Sequence, residues 1–173
     1  AARSIVIGAV DAAAGADVLV ASGTTLTRYS NLGTSGATGE WLGVAAGVAV
    51  AGTWTATQVF ALADLDADGD LDLVAGSGVA ATADAVWLGD STGAFAAAAA
   101  PGTSGSSAVA LVDVDGNGTV DLVRSTGTGV GVALNPGGAW AGFSAETTAL
   151  ASGTVVGLGL GRADAGASVD LLV

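Results

Sequence analysis

Cysteine, histidine, lysine and methionine are absent from this chain of 173 residues, and proline occurs only twice. Without cysteine there is no disulfide framework and no thiol chemistry. Without histidine there is no general base tuned to neutral pH, and without lysine no imine chemistry. The many serines therefore lack the partner that nucleophilic catalysis needs. Positive charge is scarce: four Lys and Arg face sixteen Asp and Glu, for a formal net charge of −12. That balance argues against nucleic acid and against anionic membrane surfaces as partners. No apolar run approaches the roughly 20 residues that span a bilayer; the longest, from Leu42 to Ala51, is interrupted by glycines. The chain starts at Ala1 with no basic and apolar leader, as expected of a processed product or a fragment.

What is present is small and turn-forming. Alanine, glycine and valine dominate, 51% of residues are hydrophobic and 29 are glycine. With frequent Thr and Ser, this predicts a turn-rich all-β protein long enough for a core. One stretch, Val59 to Gly76, stands out: Asp64, Asp66, Asp68, Asp70 and Asp72 alternate with small or apolar residues between strand-like runs. Five carboxylates this close repel one another unless a cation lies between them. Oxygen ligands at every second position, a glycine for a sharp turn and a closing Asp suit a hard cation such as Ca2+.

The pattern repeats. Asp17, Asp72, Asp121 and Asp170 are each followed by an apolar pair, at spacings of 55, 49 and 49 residues. Each is preceded, across a loop, by an apolar run: Ile5 to Ile7, Val59 to Leu62, Val109 to Val112 and Val155 to Leu160. A second half recurs as a strand-like run, a polar Gly-rich turn and then Gly-x-aromatic, reaching Trp41, Phe95 and Trp140. Each full unit reads as four short strands, and the fourth unit stops after two. The expected units cover about 4–54, 58–103, 107–152 and, in part, 154–173. The run from Ala96 to Ala100, too short for a free-standing helix, reads as a fourth strand or as an irregular loop.

These units resemble the FG-GAP or VCBS repeat, the blade of integrin-type β-propellers. The second unit carries the D-x-D-x-D-G-x-x-D pattern at Asp64, Asp66, Asp68, Gly69 and Asp72; the third carries it at Asp113, Asp115, Asn117, Gly118 and Asp121. The resemblance implies radial blades of four antiparallel strands, three full and half of a fourth, with Ca2+ in the hairpin between the first two strands. About two ions are expected. In the second unit Asp64, Asp66, Asp68 and Asp72 would supply side-chain oxygens and Asp70 its carbonyl. In the third, Asp113, Asp115, Asn117 and Asp121 take those parts, with Thr119 giving the carbonyl. The first loop keeps only Asp11 and Asp17, and the fourth only Asp164 and Asp170 with Arg162 in first place. Those two are expected to be vestigial, since Ca2+ takes six to eight oxygens.

Trp41, Phe95 and Trp140 are expected to pack between blades, whereas Trp54 and Tyr29 break the repeat and are better candidates for exposed ligand contacts. Arg3, Arg28 and Arg124 share no register and receive no role. Asp84, Asp90, Glu40 and Glu146 fall in separate regions with no shared motif, so paired-carboxylate cleavage of glycosides is not expected, and the chain is read as a non-enzyme. Two functions fit. One is a secreted or cell-surface module, stiffened by Ca2+, that binds a protein or glycan through other loops. The other is a self-assembling homo-oligomer, a ring or filament subunit completed through its open half-blade.

Overall fold

The computed structural model describes residues 2–13, 15–54, 59–150, 157–161 and 170–172. They form an all-β protein with no helix among them, and so none long and apolar enough to cross a membrane. The first sheet joins β1 (Ala2–Gly8), β2 (Asp17–Ser22), β3 (Thr25–Tyr29) and β4 (Val48–Val50) in sequence order. The second joins β5 (Val59–Ala63), β6 (Asp72–Gly76), β7 (Ala85–Gly89) and β8 (Phe95–Ala98). The third joins β9 (Val109–Val112), β10 (Asp121–Thr126), β11 (Gly129–Ala133) and β12 (Thr147–Leu150). A fourth pairs β13 (Gly159–Gly161) with β14 (Asp170–Leu172). Every pairing is antiparallel. The alanine run after Phe95 is the strand β8, where small side chains pair with Val86 and Trp87.

The register of the first hairpin is the same in all four sheets. Its acidic or vestigial loop is closed by a pair between the last residue of one strand and the anchoring Asp of the next: Gly8 with Asp17, Ala63 with Asp72, Val112 with Asp121 and Gly161 with Asp170. The leading strands lie side by side, with β1 touching β5, β5 touching β9 and β9 touching β13. That is the arrangement of propeller-type blades, each packed face to face on the next.

The core consequently lies between sheets rather than within one. Leu19, Ala21 and Leu26 of the first sheet meet Leu73, Ala75, Phe60 and Leu62 of the second. Val74 and Val86 on the far side of that sheet meet Leu122, Leu111 and Val109 of the third. Alternation along β6 supplies both faces: Leu73 points to the preceding blade and Val74 to the following one, and both are fully buried. Burying such residues contributes about 1.5–3 kcal/mol each, so apolar side chains supply much of what holds the stack of blades.

Two aromatic expectations are overturned. Trp41 does not pack between blades; it is 65% exposed. The connection between β3 and β4 is long and folds into its own ribbon, with bridges from Asn31 to Val44 and from Thr34 to Trp41, so the fourth strand comes only after it. Trp54, expected at the surface, is 5% exposed. Its ring stands edge-on to Phe60 at 6.0 Å and tilted against Trp87 at 4.9 Å, filling the space between the first two blades. Tyr29 is half-buried. Phe95 and Trp140 do pack in the interblade clusters, Trp140 edge-on to Phe143 at 5.1 Å.

Candidate metal centres

The anchoring Asp is the first thing the local fold sets in place. Asp72 is fully buried at the start of β6. One carboxylate oxygen accepts the Leu65 N–H at 2.6 Å, and the other accepts the Gly89 N–H at 2.8 Å. Asp121 does the same with Val114 at 2.7 Å and Asn135 at 2.7 Å, and Asp17 with Val10 at 3.1 Å and Asn31 at 2.7 Å. Each anchor thus ties the loop's second residue to the chain at or just beyond the end of the third strand. It does so in the vestigial first loop as well as in the acidic ones.

Around that anchor the second and third loops gather carboxylates. One oxygen each from Asp64, Asp66 and Asp72 lie within 4.8 Å of one another, and the same holds for Asp113, Asp115 and Asp121. Such spacing matches ligands about a single Ca2+, whose oxygens sit at about 2.3–2.6 Å from the ion. Asp64 Oδ1 is buried and has no hydrogen-bond partner, while its other oxygen accepts the Gly69 N–H at 3.1 Å. An orphaned, buried carboxylate oxygen beside two more carboxylates fits a cation. Left without one, Asp72 has its pKa pushed up to about 6, first by burial and then by Asp66 and Asp68, against the two backbone hydrogen bonds that favour its ionised form. Asp66 is raised too, by burial and by Asp68.

The other expected ligands stand apart. Asp68 lies outside the converging three, and its Oδ1 accepts the Asp70 N–H at 2.8 Å. Asn117 uses its amide to donate to the Asn135 carbonyl at 3.0 Å, and its Oδ1 accepts the Thr119 N–H at 2.7 Å. The Thr119 hydroxyl donates to the same Asn135 carbonyl at 2.7 Å, so this residue offers more than the carbonyl its position suggests. It fastens the loop to the end of β11. Gly69 and Gly118 take positive φ of 96° and 88°, as the sharp turn requires. A second such position lies two residues earlier, with Gly116 at 78° and Ala67, without glycine's freedom, at 62°.

The first loop gathers no such group among the described residues. Asp11 instead accepts the Ala13 N–H and the Ser30 hydroxyl, each at 2.8 Å, and faces the Arg28 guanidinium at 3.7 Å. Arg28 also donates to the Thr92 carbonyl at 2.8 Å, and Ala12 N–H donates to the Ser91 carbonyl at 2.8 Å. Arg28 crosses directly over Gly93, where any Cβ would collide with it. A protein cation and two bonds to the neighbouring blade hold this loop in place. The corresponding loop of the fourth unit, with Arg162, Asp164, Gly166 and Ala167, lies outside the described residues.

Arg124, to which sequence register gives no role, has one. It is buried with Asp84 and pairs with it at 2.8 Å, and it also pairs with Glu146. Burial works to lower its pKa, but the bonds to Asp84 and Glu146 outweigh it and hold the guanidinium above its ordinary range. Asp84 further accepts the N–H groups of Ser77 and Ser106 and the Ser106 hydroxyl, which locks the second blade to the third. Asp84 and Glu146, which share no sequence motif, thus share a partner in Arg124. Separations of 40 and 22 residues from Arg124 conceal the cluster in the sequence. One guanidinium serves both carboxylates, and the cluster ties β10 to the second blade.

Among known families, the FG-GAP-like repeat matches residues 64–124, the stretch that holds both acidic loops and the sheet between them. The match falls on the residues where the Asp spacing is best kept. Among solved structures, a mutant form of the Photorhabdus luminescens Tc holotoxin pore is similar over 90% of this chain, with a TM-score of 0.51 and 20% identity. The match spans 8% of that far longer chain, and at this identity it speaks for the fold alone. None of the curated proteins matches the chain.

Proposed function

We propose that this repeat module of propeller-type blades is a Ca2+-binding recognition module of the extracellular space, with one ion in each of the second and third loops. The observation that carries the reading is the convergence of Asp64, Asp66 and Asp72, and again of Asp113, Asp115 and Asp121, with one buried oxygen of Asp64 left without a protein partner. An ion at each site would neutralise these charges and stiffen the hairpin beside the leading strand. The repeat family to which residues 64–124 are similar is typically extracellular, and millimolar Ca2+ outside cells suits loops of modest affinity.

Recognition of a protein or glycan is assigned to the ribbon between β3 and β4, since Leu32, Trp41 and Leu42 are exposed there. The Trp41 indole N–H donates to Asn31 Oδ1 at 2.9 Å, which fixes the ring with a face open to solvent. No catalytic role is proposed, because the chain has no His, Cys or Lys.

Titration calorimetry with Ca2+ tests the reading. About two sites are expected, falling to one in Asp66→Asn, whose side chain is not part of the buried clamp. Thermal unfolding that ignores both added Ca2+ and a chelator would refute the structural ion. A glycan or protein array whose signal survives Trp41→Ala would move recognition away from the ribbon.

A further inference from the structure

Asn135, just beyond β11, is buried and touches both acidic loops. Toward the third loop it uses its main chain. The N–H donates to the anchor Asp121 at 2.7 Å, and the carbonyl accepts the Asn117 amide at 3.0 Å and the Thr119 hydroxyl at 2.7 Å. Toward the second loop its side chain crosses to the neighbouring blade, where Nδ2 donates to the Leu65 carbonyl at 2.7 Å over a separation of 70 residues. The amide has one orientation, because Oδ1 accepts the Gly137 N–H at 3.1 Å and a flipped group would set donor against donor. Leu65 lies between Asp64 and Asp66, and its own N–H is held by Asp72 at 2.6 Å. Both main-chain groups of this residue are thus taken, one by the second loop's anchor and the other by a residue clamped to the third loop's. The Leu65 side chain, buried as well, joins the cluster that holds Val120 and Leu122 on either side of Asp121.

We infer, on the calcium reading above, that Asn135 couples the two candidate sites, so that an ion in either loop raises the affinity of the other. Asp72 and Asp121 are each a candidate ligand and one arm of a hydrogen-bond clamp. Fixing Asp121 in the third loop therefore fixes the Asn135 main chain, whose side chain holds Leu65 and with it the spacing of Asp64 and Asp66. Fixing the second loop acts on the same bond from the other end. Ordering that one loop needs for binding is then already in place when the other is occupied, and a site that loses less freedom on binding binds more tightly. Linkage makes the factor equal in both directions. The second blade has no such bridge toward the first loop. Gly89 donates to Asp72 as Asn135 does to Asp121, but it has no side chain, and a Cβ there would collide with the Leu71 carbonyl. The first loop meets the second blade through Ala12 and Arg28 instead.

Titration calorimetry of the whole chain with Ca2+ measures the coupling. Asp66→Asn leaves the third site alone and Asp115→Asn the second. The product of their separate binding constants is compared with the overall constant of the unsubstituted chain for both ions. The overall constant should exceed the product by about fivefold or more, the lower range of coupling between sites. Asn135→Ala keeps the main-chain bonds and loses the side-chain bonds to Leu65 and Gly137, so introducing it into all three proteins should remove the excess. A second measurement needs no change at Asn135: in Asp66→Asn, where only the third loop can be loaded, Ca2+ should slow hydrogen exchange at the Leu65 amide. Two sites with no excess in the unsubstituted chain overturn the coupling and leave the ions in place. An excess that survives Asn135→Ala overturns the part given to Asn135. A chain that takes up no Ca2+ at all overturns the calcium reading, and the coupling with it.

Discussion

The first and second loops sit at the same place in adjacent blades, close with the same strand pair and bury the same anchoring Asp, yet they are held in different ways. In the second loop three carboxylates converge with no cationic side chain paired to them among the described residues. In the first, Arg28, Ser30 and the main chain of Ser91 and Thr92 meet every demand that Asp11 and Ala12 make. The comparison separates two duties that the sequence pattern merges. The last Asp of each motif builds the scaffold whether or not its loop is acidic, and only in the second and third loops do further carboxylates converge on it.

The largest effect follows from that separation. Asp17→Ala and Asp72→Ala should destabilise the protein by similar amounts when a chelator is present. Each leaves two backbone N–H groups without an acceptor. At about 1–3 kcal/mol for each such group, the loss is roughly 2–6 kcal/mol, a large part of the 5–15 kcal/mol typical of a folded domain. Urea unfolding measures it. Calorimetry then divides the pair, since Asp72→Ala should lose one Ca2+ site and Asp17→Ala none. If Asp17→Ala proves harmless while Asp72→Ala unfolds the chain, the anchor is not a shared framework and the comparison fails.

A smaller effect is expected with pH. In the metal-free protein the Asp72 pKa of about 6 lies above its ordinary value of 3.8, so between these limits the folded state holds more protons than the unfolded one. Stability should therefore fall as pH rises from about 4 to 6, by at most about 1.4 kcal/mol per pH unit from this group. Saturating Ca2+ holds the carboxylates ionised in the folded state and should reverse the slope. Asp72→Asn should flatten it in the metal-free protein. A metal-free stability that rises through this window would show that the Leu65 and Gly89 hydrogen bonds outweigh burial and the neighbouring charges.

Strands and hairpin loops could be read in the sequence because both are short-range: alternation has a period of two, and the Asp ladder spans nine residues. The four anchors at nearly constant spacing even gave the strand pairs correctly. What escaped is longer in range. Each anchor clamps one backbone N–H 7 residues away and a second 14 to 17 residues away, and backbone N–H groups leave no trace in residue identity. Trp41 and Trp54 exchange roles because the Gly-x-aromatic element of the first unit lies in the long connection after β3. In the first blade that connection folds into a ribbon, which the other blades replace with shorter links. Arg28 and Arg124 appeared idle for a related reason, since each pairs across blades and no repeat register encodes that.

The smallest expected effect refines the contrast between the two acidic loops themselves. Ala67 adopts φ 62° where the third loop has Gly116 at 78°. A left-handed conformation costs a residue with a Cβ about 1–2 kcal/mol, and glycine's greater freedom in the unfolded chain offsets part of that. Ala67→Gly should therefore stabilise the protein by about 0.5–1 kcal/mol, and Gly116→Ala should destabilise it by a similar amount. Nothing lies near the position a Gly116 side chain would take, so the second substitution reports backbone strain without steric clash. Ca2+ affinity should move with stability, rising in Ala67→Gly, because a loop already in the liganded conformation loses less freedom on binding. Equilibrium unfolding with and without Ca2+ distinguishes the two contributions. A gain confined to the Ca2+-bound protein would mean that Ala67 takes up the left-handed turn only when the ion is there.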